Sequence, residues 1–158
     1  MKREFFRHNL NAIILAAGQG KRLAPLTEHK PKCLVNLFGK TILDWQISVF
    51  KKCGITDISI VTGYHSELID LPGLEFFQNK KFETTNMVES LFCASEKLNE
   101  STIVSYGDII FEKRVLDKLL ASKYDFSVVI DKDWRKQWNT RFQNPLDYAE
   151  SLRLSKSN

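Results

Sequence analysis

A short stretch of glycines and cations has the composition of a polyphosphate site. Its members, in chain order, are Gly18, Gly20, Lys21, Arg22 and Lys32. Glycines let backbone N–H groups approach anionic oxygens because no Cβ intervenes, and cations neutralise charge that would repel an incoming nucleophile. The segment 12–43 therefore predicts a site for a phosphate-rich ligand.

Two common phosphate-binding motifs do not match these residues. A Walker A loop needs glycine five residues before Gly20, where the chain has Leu15. It also needs Ser or Thr after Lys21, where the chain has Arg22. The Rossmann fingerprint G-x-G-x-x-G needs a third glycine at the position of Leu23. A P-loop NTPase and a nicotinamide enzyme are therefore disfavoured.

The longer ordered string resembles the signature of the nucleotidyltransferase (nucleoside-diphosphate-sugar pyrophosphorylase) superfamily. The matching letters are LAAGQGKRLAPLT at 15–27, PK at 31–32 and GK at 39–40, with looser matches at 61–64, 86–91 and 106–108. Members of this family join a nucleoside triphosphate to a phosphorylated acceptor and release pyrophosphate. The resemblance implies a Rossmann-like, doubly wound, mostly parallel sheet of the nucleotide-diphospho-sugar transferase type.

The resemblance also implies a role for each matching residue. Gly18 and Gly20 would wrap the nucleotide, and Arg22 would clamp the leaving pyrophosphate. Lys32 would bridge the α-phosphate and the acceptor phosphate, and Asp108 would bind Mg2+, which needs only one or two carboxylates. The further nucleotide-binding residues are Leu15, Ala16, Ala17, Gln19, Lys21, Asn86 and Gly107. Nucleotidyl transfer suits such a set because it needs positioning and charge neutralisation more than covalent catalysis.

Each assignment has a simpler alternative when its residue is taken alone. Gly-x-Gly after a strand is often only a turn, and a lone Arg or Lys in a loop is often a solvated surface charge. Gly107-Asp108 is a common turn pair. Asn86 is equally suited to cap a helix.

Alternating strands and helices are predicted to position these residues. Strands are predicted over 10–16, 57–62, 74–77, 102–106, 126–131 and 148–154, and helices over 66–70, 86–98, 113–122 and from the Thr41 cap to the Gly54 stop. This alternation favours a mostly parallel sheet. The glycine loop and Asp108 both follow predicted strands, and ligands of open α/β sheets bind at that edge.

The composition indicates an ordinary globular protein, predicted as one domain over 1–158. The chain is 43% hydrophobic and 27% charged, and its net charge of +4 suits an anionic small molecule better than a nucleic acid. The odd number of cysteines, Cys33, Cys53 and Cys93, without C-x-x-C spacing favours neither a disulfide framework nor a zinc site. No apolar run resembles a signal peptide or membrane span, which predicts a cytoplasmic protein without a membrane partner. The oligomeric state stays open, with a homo-oligomer as one option.

The segment 85–91 is similar to that of cytidylyltransferases that act on phosphocholine and related phosphate or phosphonate acceptors, which favours CTP. If the acceptor carries a quaternary amine, Trp134, Trp138 and Tyr148 are candidates for an aromatic cage. The simpler alternative for these aromatic residues is that they belong to the core. The basic, aromatic segment 134–142 is interpreted either as a mobile loop over the acceptor or as a surface helix with one apolar stripe. Asp131 and Asp133 are candidates for a second metal ligand, and Asp131 for acceptor binding, although Asp-x-Asp after a strand is usually a solvated turn.

Family members are generally longer, so the resemblance implies that this chain is C-terminally truncated and lacks part of the acceptor pocket. It is a fragment, a naturally short protein or an artificially shortened one. Three functions follow. The first is a Mg2+-dependent nucleotidyltransferase, the second a weakly active nucleotide-binding or regulatory module, and the third, less favoured, a nucleic-acid-binding protein that uses the basic, aromatic segment near Trp134.

Overall fold

A four-stranded parallel sheet forms the centre of the first of two compact units. The computed structural model describes residues 10–99 and 101–147, and the two units divide between residues 121 and 122. The strands are β1 Asn11–Ala16, the hairpin strands β2 Asn36–Leu37 and β3 Lys40–Thr41, then β4 Asp57–Thr62, β5 Glu75–Gln78 and β6 Thr102–Tyr106. The sheet order is β5-β4-β1-β6, and every neighbouring pair is parallel. The predicted parallel sheet is therefore confirmed.

Three helices follow strands of this unit: α1 Ile42–Lys52, α2 Met87–Cys93 and α3 Lys113–Leu120. A capping box begins α1, because Thr41 Oγ1 accepts from the backbone N–H of Asp44 at 3.0 Å and the Asp44 carboxylate accepts from the Thr41 N–H at 3.1 Å. The helix ends before Gly54, whose φ of +81° is the left-handed conformation that favours glycine. The predicted start and stop of this helix are both confirmed.

The two faces of β1 are buried against different layers. One core cluster joins Ala12, Ile14 and Ala16 to residues of α1 and α3, among them Leu43, Ile47, Phe50 and Leu116. The alternate residues Ile13 and Leu15 lie in a second cluster with Val61 and with Leu91 of α2. Because successive strand residues point to opposite faces, the sheet is covered on both sides. The doubly wound architecture is thus confirmed.

Three predicted elements differ from the observed ones. The helix predicted over 66–70 is a short 3-10 helix, Ser66–Leu68. The helix predicted over 86–98 ends at Cys93, where fully buried Ala94 packs with Ile13 and Val61 and the backbone turns into a short 3-10 helix, Ser95–Lys97. The strand predicted over 126–131 is not formed. Its β-branched residues favour a strand, but a strand also needs a hydrogen-bonding neighbour, and none of the described strands pairs with it.

The second unit contains, within its described residues 122–147, the helix α4 Trp134–Asn139 and a 3-10 helix, Pro145–Asp147. The strand predicted over 148–154, and with it Tyr148, lies outside the described residues. The prediction of one domain over the whole chain stays a prediction. No helix in the described part of either unit combines the length and the apolar character needed to cross a membrane.

Candidate functional site

The predicted site residues of the first unit gather at the carboxyl ends of β1 and β6. These strands are in register, with Leu15 opposite Tyr106, so the segments that follow them leave the sheet together. The glycine loop follows β1, and Gly107 and Asp108 follow β6. This edge is where open α/β sheets bind ligands.

Gly107 is required by close packing between the two strand ends. Its N–H donates to the Leu15 carbonyl at 2.8 Å. A Cβ at this position would lie 2.9 Å from both Ala16 Cβ and the Leu15 carbonyl oxygen. Only glycine therefore allows β6 to approach β1 this closely. A nucleotide contact of Gly107 stays a prediction beside this packing role.

The segment Leu15–Ala17 is held mainly by its backbone. The Leu15 carbonyl accepts from Gly107, and the Ala17 carbonyl accepts from the N–H of Tyr64 at 3.0 Å. Ala16 and Ala17 are buried, and Leu15 is half-buried. These contacts fix where the exposed Gly18 begins the loop, and contact of Leu15, Ala16 and Ala17 with a nucleotide stays a prediction.

The loop after Gly18 is closed by a buried threonine. Gly20 has a φ of +69°, and its carbonyl accepts from Thr27 Oγ1 at 3.0 Å. Thr27 is buried, whereas Gly18 is exposed and has open space where a Cβ would lie. Sequence reasoning did not single out Thr27. Its position at the end of the matched string L-A-P-L-T is the sequence signal that could have identified it.

Lys21 and Arg22 lie in a short 3-10 helix, Lys21–Leu23, directly after the loop. Both side chains are exposed, and neither forms an ion pair with another described residue. The half-buried Gln19 lies between the two glycines. The arrangement leaves two cations available to an anionic ligand beside the glycine loop.

The centre of the site is an ion pair between Lys32 and Asp108. Lys32 Nζ donates to Asp108 Oδ2 at 2.6 Å, and both side chains are partly exposed. Lys32 also packs on the loop, because a Cβ on Gly20 would lie 2.9 Å from Lys32 Cβ. The structure therefore brings together Gly20, Lys32 and Asp108, which are far apart in the sequence.

The residue after Lys32, Cys33, is buried. Cys33 is almost fully buried in the core cluster of α1. Burial raises the pKa of the Cys33 thiol to about 12, and the negative charge of Asp108 adds to this effect. The thiol is protonated at neutral pH, so Cys33 acts as a small hydrophobic residue rather than as a nucleophile.

Asn86 begins α2 as its N-cap. Its Oδ1 accepts from the backbone N–H groups of Val88 at 2.9 Å and Glu89 at 3.2 Å. Its side-chain N–H groups form no hydrogen bond with another described residue and stay available as donors. The capping alternative is confirmed, and contact with a base stays a prediction.

The loop before α2 is held by Asn79, a buried residue that sequence reasoning missed. Its Nδ2 donates to Thr85 Oγ1 at 2.9 Å and to Ser90 Oγ at 3.0 Å. Its own N–H donates to the Thr62 carbonyl at 2.8 Å. Asn79 therefore ties the segment that carries Asn86 to the end of β4.

A second missed residue, Gln46, connects α1 to the end of β6. It is buried, donates to the Tyr106 carbonyl at 2.9 Å and accepts from Ser105 Oγ at 2.9 Å. The signal was in the sequence, because Gln46 lies on the helix face that also carries Leu43, Ile47 and Phe50. A glutamine on an apolar face needs partners for its amide.

Asp131, Trp134 and Trp138 belong to the second unit, where each has local contacts. Asp131 Oδ1 accepts from the backbone N–H of Asp133 at 2.9 Å, the turn contact expected for Asp-x-Asp. The rings of Trp134 and Trp138 lie edge to face at 6.1 Å, and Phe142 continues the series at 5.6 Å. This confirms a surface helix with one apolar stripe, and the acceptor roles stay predictions.

The donor set at the strand ends fits a magnesium ion that arrives with a nucleotide. Asp108 is an exposed carboxylate with one oxygen on Lys32. Residues 10–99 and 101–147 contain no cluster of three or more His, Cys, Asp or Glu side chains suited to a metal. Mg2+ at phosphate sites uses one or two carboxylates together with phosphate oxygens and waters. Asp108 fits that requirement as a single ligand, not as part of a metal cage.

Several known proteins share sequence and fold with this chain. The chain matches the model of the MobA-like NTP transferase domain over residues 12–154. It is 40% identical over 159 residues to the CTP:phosphoglutamine cytidylyltransferase of Campylobacter jejuni, covering 92% of this chain and 62% of that protein. It is 36% identical over 133 residues to the choline-phosphate cytidylyltransferase of Streptococcus pneumoniae, covering 82% of this chain and 57% of that protein.

A solved structure shows the same fold. The CTP:phosphocholine cytidylyltransferase of Streptococcus pneumoniae superposes with a TM-score of 0.60 at 40% identity, over 63% of this chain and 45% of that chain. The predicted fold class is thus confirmed. The chain spans about three fifths of the length of the curated relatives it matches.

Proposed function

Because this chain belongs to the family of MobA-like NTP transferases, we propose that it is a cytidylyltransferase that joins CTP to a small phosphorylated acceptor. The observation that carries the proposal is the Lys32–Asp108 pair at 2.6 Å, which lies against Gly20 at the carboxyl ends of β1 and β6. A cation, a carboxylate and a glycine loop at one strand edge are the groups that nucleotidyl transfer uses.

In the proposed reaction, an oxygen of the acceptor phosphate attacks the α-phosphorus of CTP. The new P–O bond forms as the bond from the α-phosphorus to the bridging oxygen breaks, and pyrophosphate leaves with that electron pair. Lys32 would neutralise charge on the α-phosphate and the acceptor phosphate, which otherwise repel each other. Arg22 would hold the leaving pyrophosphate, since its planar guanidinium matches two phosphate oxygens.

Mg2+ is the proposed cofactor, with Asp108 as its protein ligand. When bound, the ion would reduce the negative charge of the triphosphate and so favour attack at phosphorus. Lys32 forms an ion pair with one oxygen of Asp108 in this structure, and the same lysine is the proposed phosphate ligand. Binding of a triphosphate would therefore draw Lys32 towards phosphate and leave the carboxylate for the ion.

The choice of CTP is supported by the two curated relatives, both of which are cytidylyltransferases by name. Asn86 is the proposed base contact, because its side-chain N–H groups are available and a carbonyl such as that of cytosine can accept from them. The acceptor is proposed as a small phosphate or phosphonate compound, such as a phosphocholine-like molecule or a sugar phosphate. Asp131, Trp134 and Trp138 are its proposed contacts.

Pyrophosphate release tests this function directly. We would assay CTP, UTP, dTTP, GTP and ATP with Mg2+ against a panel of phosphocholine-like, sugar-phosphate and phosphonate acceptors, and measure thermal shifts with each triphosphate. We expect release with CTP and at least about tenfold less with the other triphosphates, because a site that hydrogen-bonds one base leaves polar groups unpaired with another.

Other outcomes would select the alternatives. Release that is indifferent to the base would contradict the choice of CTP. CTP binding without release for every acceptor would support a nucleotide-binding module. RNA binding at low salt together with no response to any triphosphate would support a nucleic-acid-binding protein. The named activities of the relatives support the enzyme over both alternatives.

A further inference from the structure

Gln46 is an unusual residue for the buried face of α1. It is only 1% exposed and shares that face with Leu43 and Ile47. Burying an amide is costly unless each end is hydrogen-bonded, so a residue with only a packing role would normally be apolar here. Both ends of this amide are satisfied, and both partners lie at the end of β6.

The two hydrogen bonds of Gln46 hold residues that lie two and three positions before Asp108, the proposed Mg2+ ligand. Gln46 Nε2 donates to the carbonyl of Tyr106, and Gln46 Oε1 accepts from Ser105 Oγ. Tyr106 is the last residue of β6, and Asp108 follows two positions later. The carbonyl of Tyr106 belongs to the peptide bond whose N–H is that of Gly107, and this N–H donates to Leu15. One peptide unit is therefore held from α1 and from β1 at once.

The same helix also supports the other half of the ion pair. Lys32 lies in a 3-10 helix, Lys32–Leu34, which packs against α1. The N–H of Ile42, the first residue of α1, donates to the carbonyl of Val35 at 3.1 Å. A shift of α1 relative to β6 would therefore move Lys32 and Asp108 relative to each other.

We infer that Gln46 is a positioning residue that fixes the end of β6 on α1 and thereby sets the separation of Lys32 and Asp108. This role rests on the proposed function of that pair. Gln46 does not reach the ligand itself. It acts through the peptide between Tyr106 and Gly107, as outer-shell partners orient the groups that bind metals and phosphates.

The test compares Gln46→Met with Ile47→Ala. Methionine keeps the length and volume of glutamine but removes both hydrogen bonds. Ile47→Ala removes core packing one position along the same helix and leaves both hydrogen bonds of Gln46 to β6 in place. We expect it to lower Tm at least as much as Gln46→Met does. Ser105→Ala is intermediate, because it removes the hydrogen bond from Ser105 to Gln46 and leaves the one from Gln46 to the Tyr106 carbonyl.

The first measurement does not depend on catalysis. Hydrogen exchange of the Gly107 amide is followed by NMR and expressed relative to the Ile60 amide in the centre of β4. We expect this ratio to rise about tenfold in Gln46→Met, less in Ser105→Ala, and not in Ile47→Ala. An unchanged ratio in Gln46→Met would overturn the inference, whatever the activity.

The second measurement separates positioning from stability. In Gln46→Met we expect kcat to fall about tenfold and half-saturation by Mg2+ to rise, while CTP affinity measured without metal stays within about twofold. Equal losses in Gln46→Met and Ile47→Ala would show a purely structural role. If the exchange ratio rises in Gln46→Met but the wild-type protein releases no pyrophosphate from any triphosphate, the proposed function fails. The role of Gln46 in fixing the end of β6 would still be supported.

Discussion

Two regions of the molecule carry candidate site residues, and they are held in different ways. At the carboxyl ends of β1 and β6, buried side chains fix the backbone that carries the site, as Thr27 does for Gly20 and Gln46 for Tyr106. In the second unit, none of the described residues 122–147 is fully buried, and Trp134 and Trp138 contact rings of their own helical stripe.

The difference separates two kinds of contribution to one proposed reaction. Groups fixed by tertiary packing can be preorganised around a transition state, where small displacements are costly in rate. Groups on a short, exposed helix contribute mainly contacts to a ligand. Substitutions at the strand ends should therefore change kcat, and substitutions in the second unit should change the KM of the acceptor.

The largest effect is expected from the cations of the first region. Lys32→Ala and Arg22→Ala should each lower turnover at least about a hundredfold, the scale seen when a preorganised charge stabiliser is removed. In Lys32→Ala the Asp108 carboxylate also loses its partner at 2.6 Å. Pyrophosphate release under saturating CTP measures both losses.

Lys52→Ala is the matched control for these variants, because Lys52 is an exposed cation at the end of α1. It should keep wild-type turnover. Near-normal rates in both Lys32→Ala and Arg22→Ala would remove the mechanism assigned to the first region.

A smaller effect is expected where the loop packs on Lys32. Gly20→Ala places a Cβ 2.9 Å from Lys32 Cβ and a side chain on a residue with a φ of +69°. The left-handed conformation should cost about 1–2 kcal/mol of stability. Displacement of Lys32 should lower kcat about tenfold as well, because small misplacements of catalytic groups are costly.

Gly54→Ala isolates the conformational part of this effect. Gly54 has a φ of +81°, but an added Cβ would meet nothing within 4 Å. Thermal unfolding should show a loss of Tm in both variants, at least as large in Gly20→Ala because of its added contact with Lys32, and turnover should fall only in Gly20→Ala. Equal turnover in both would mean that the contact with Lys32 does not position it.

The elements of the fold that could be predicted from sequence are those with complete local signals. Thr41 and Gly54 mark the two ends of α1, and the apolar run of β1 indicates a strand covered on both faces. The strand predicted at 126–131 had the right side chains but no described neighbour to pair with. The helix from Asn86 was predicted too long, because local periodicity does not record that the backbone leaves the helix at Ala94, where this residue packs with Ile13 and Val61.

For the site, the sequence could predict the residues proposed to bind the ligand, but not the buried residues that hold them in position. Gly20, Lys32 and Asp108 fall in a motif and do meet in space. Gln46 and Asn79 stand outside any motif, because each acts through a hydrogen bond to another element. Gln46 donates to Tyr106, and Asn79 donates to Ser90. Only the polar residue on an apolar helix face offered a clue to Gln46.

The smallest effect is expected in the second unit. It tests whether this unit contributes to acceptor binding rather than to turnover. Trp138→Leu keeps an apolar side chain in the stripe but removes the ring, so we expect the KM of a cationic acceptor to rise about two- to fivefold, the scale of an exposed cation–π contact. CTP affinity and kcat should not change. Phe126→Leu removes an exposed aromatic ring of the same unit and serves as the control. Equal effects of the two substitutions, or a matching loss of CTP affinity in Trp138→Leu, would show that the second unit has no distinct role in acceptor binding.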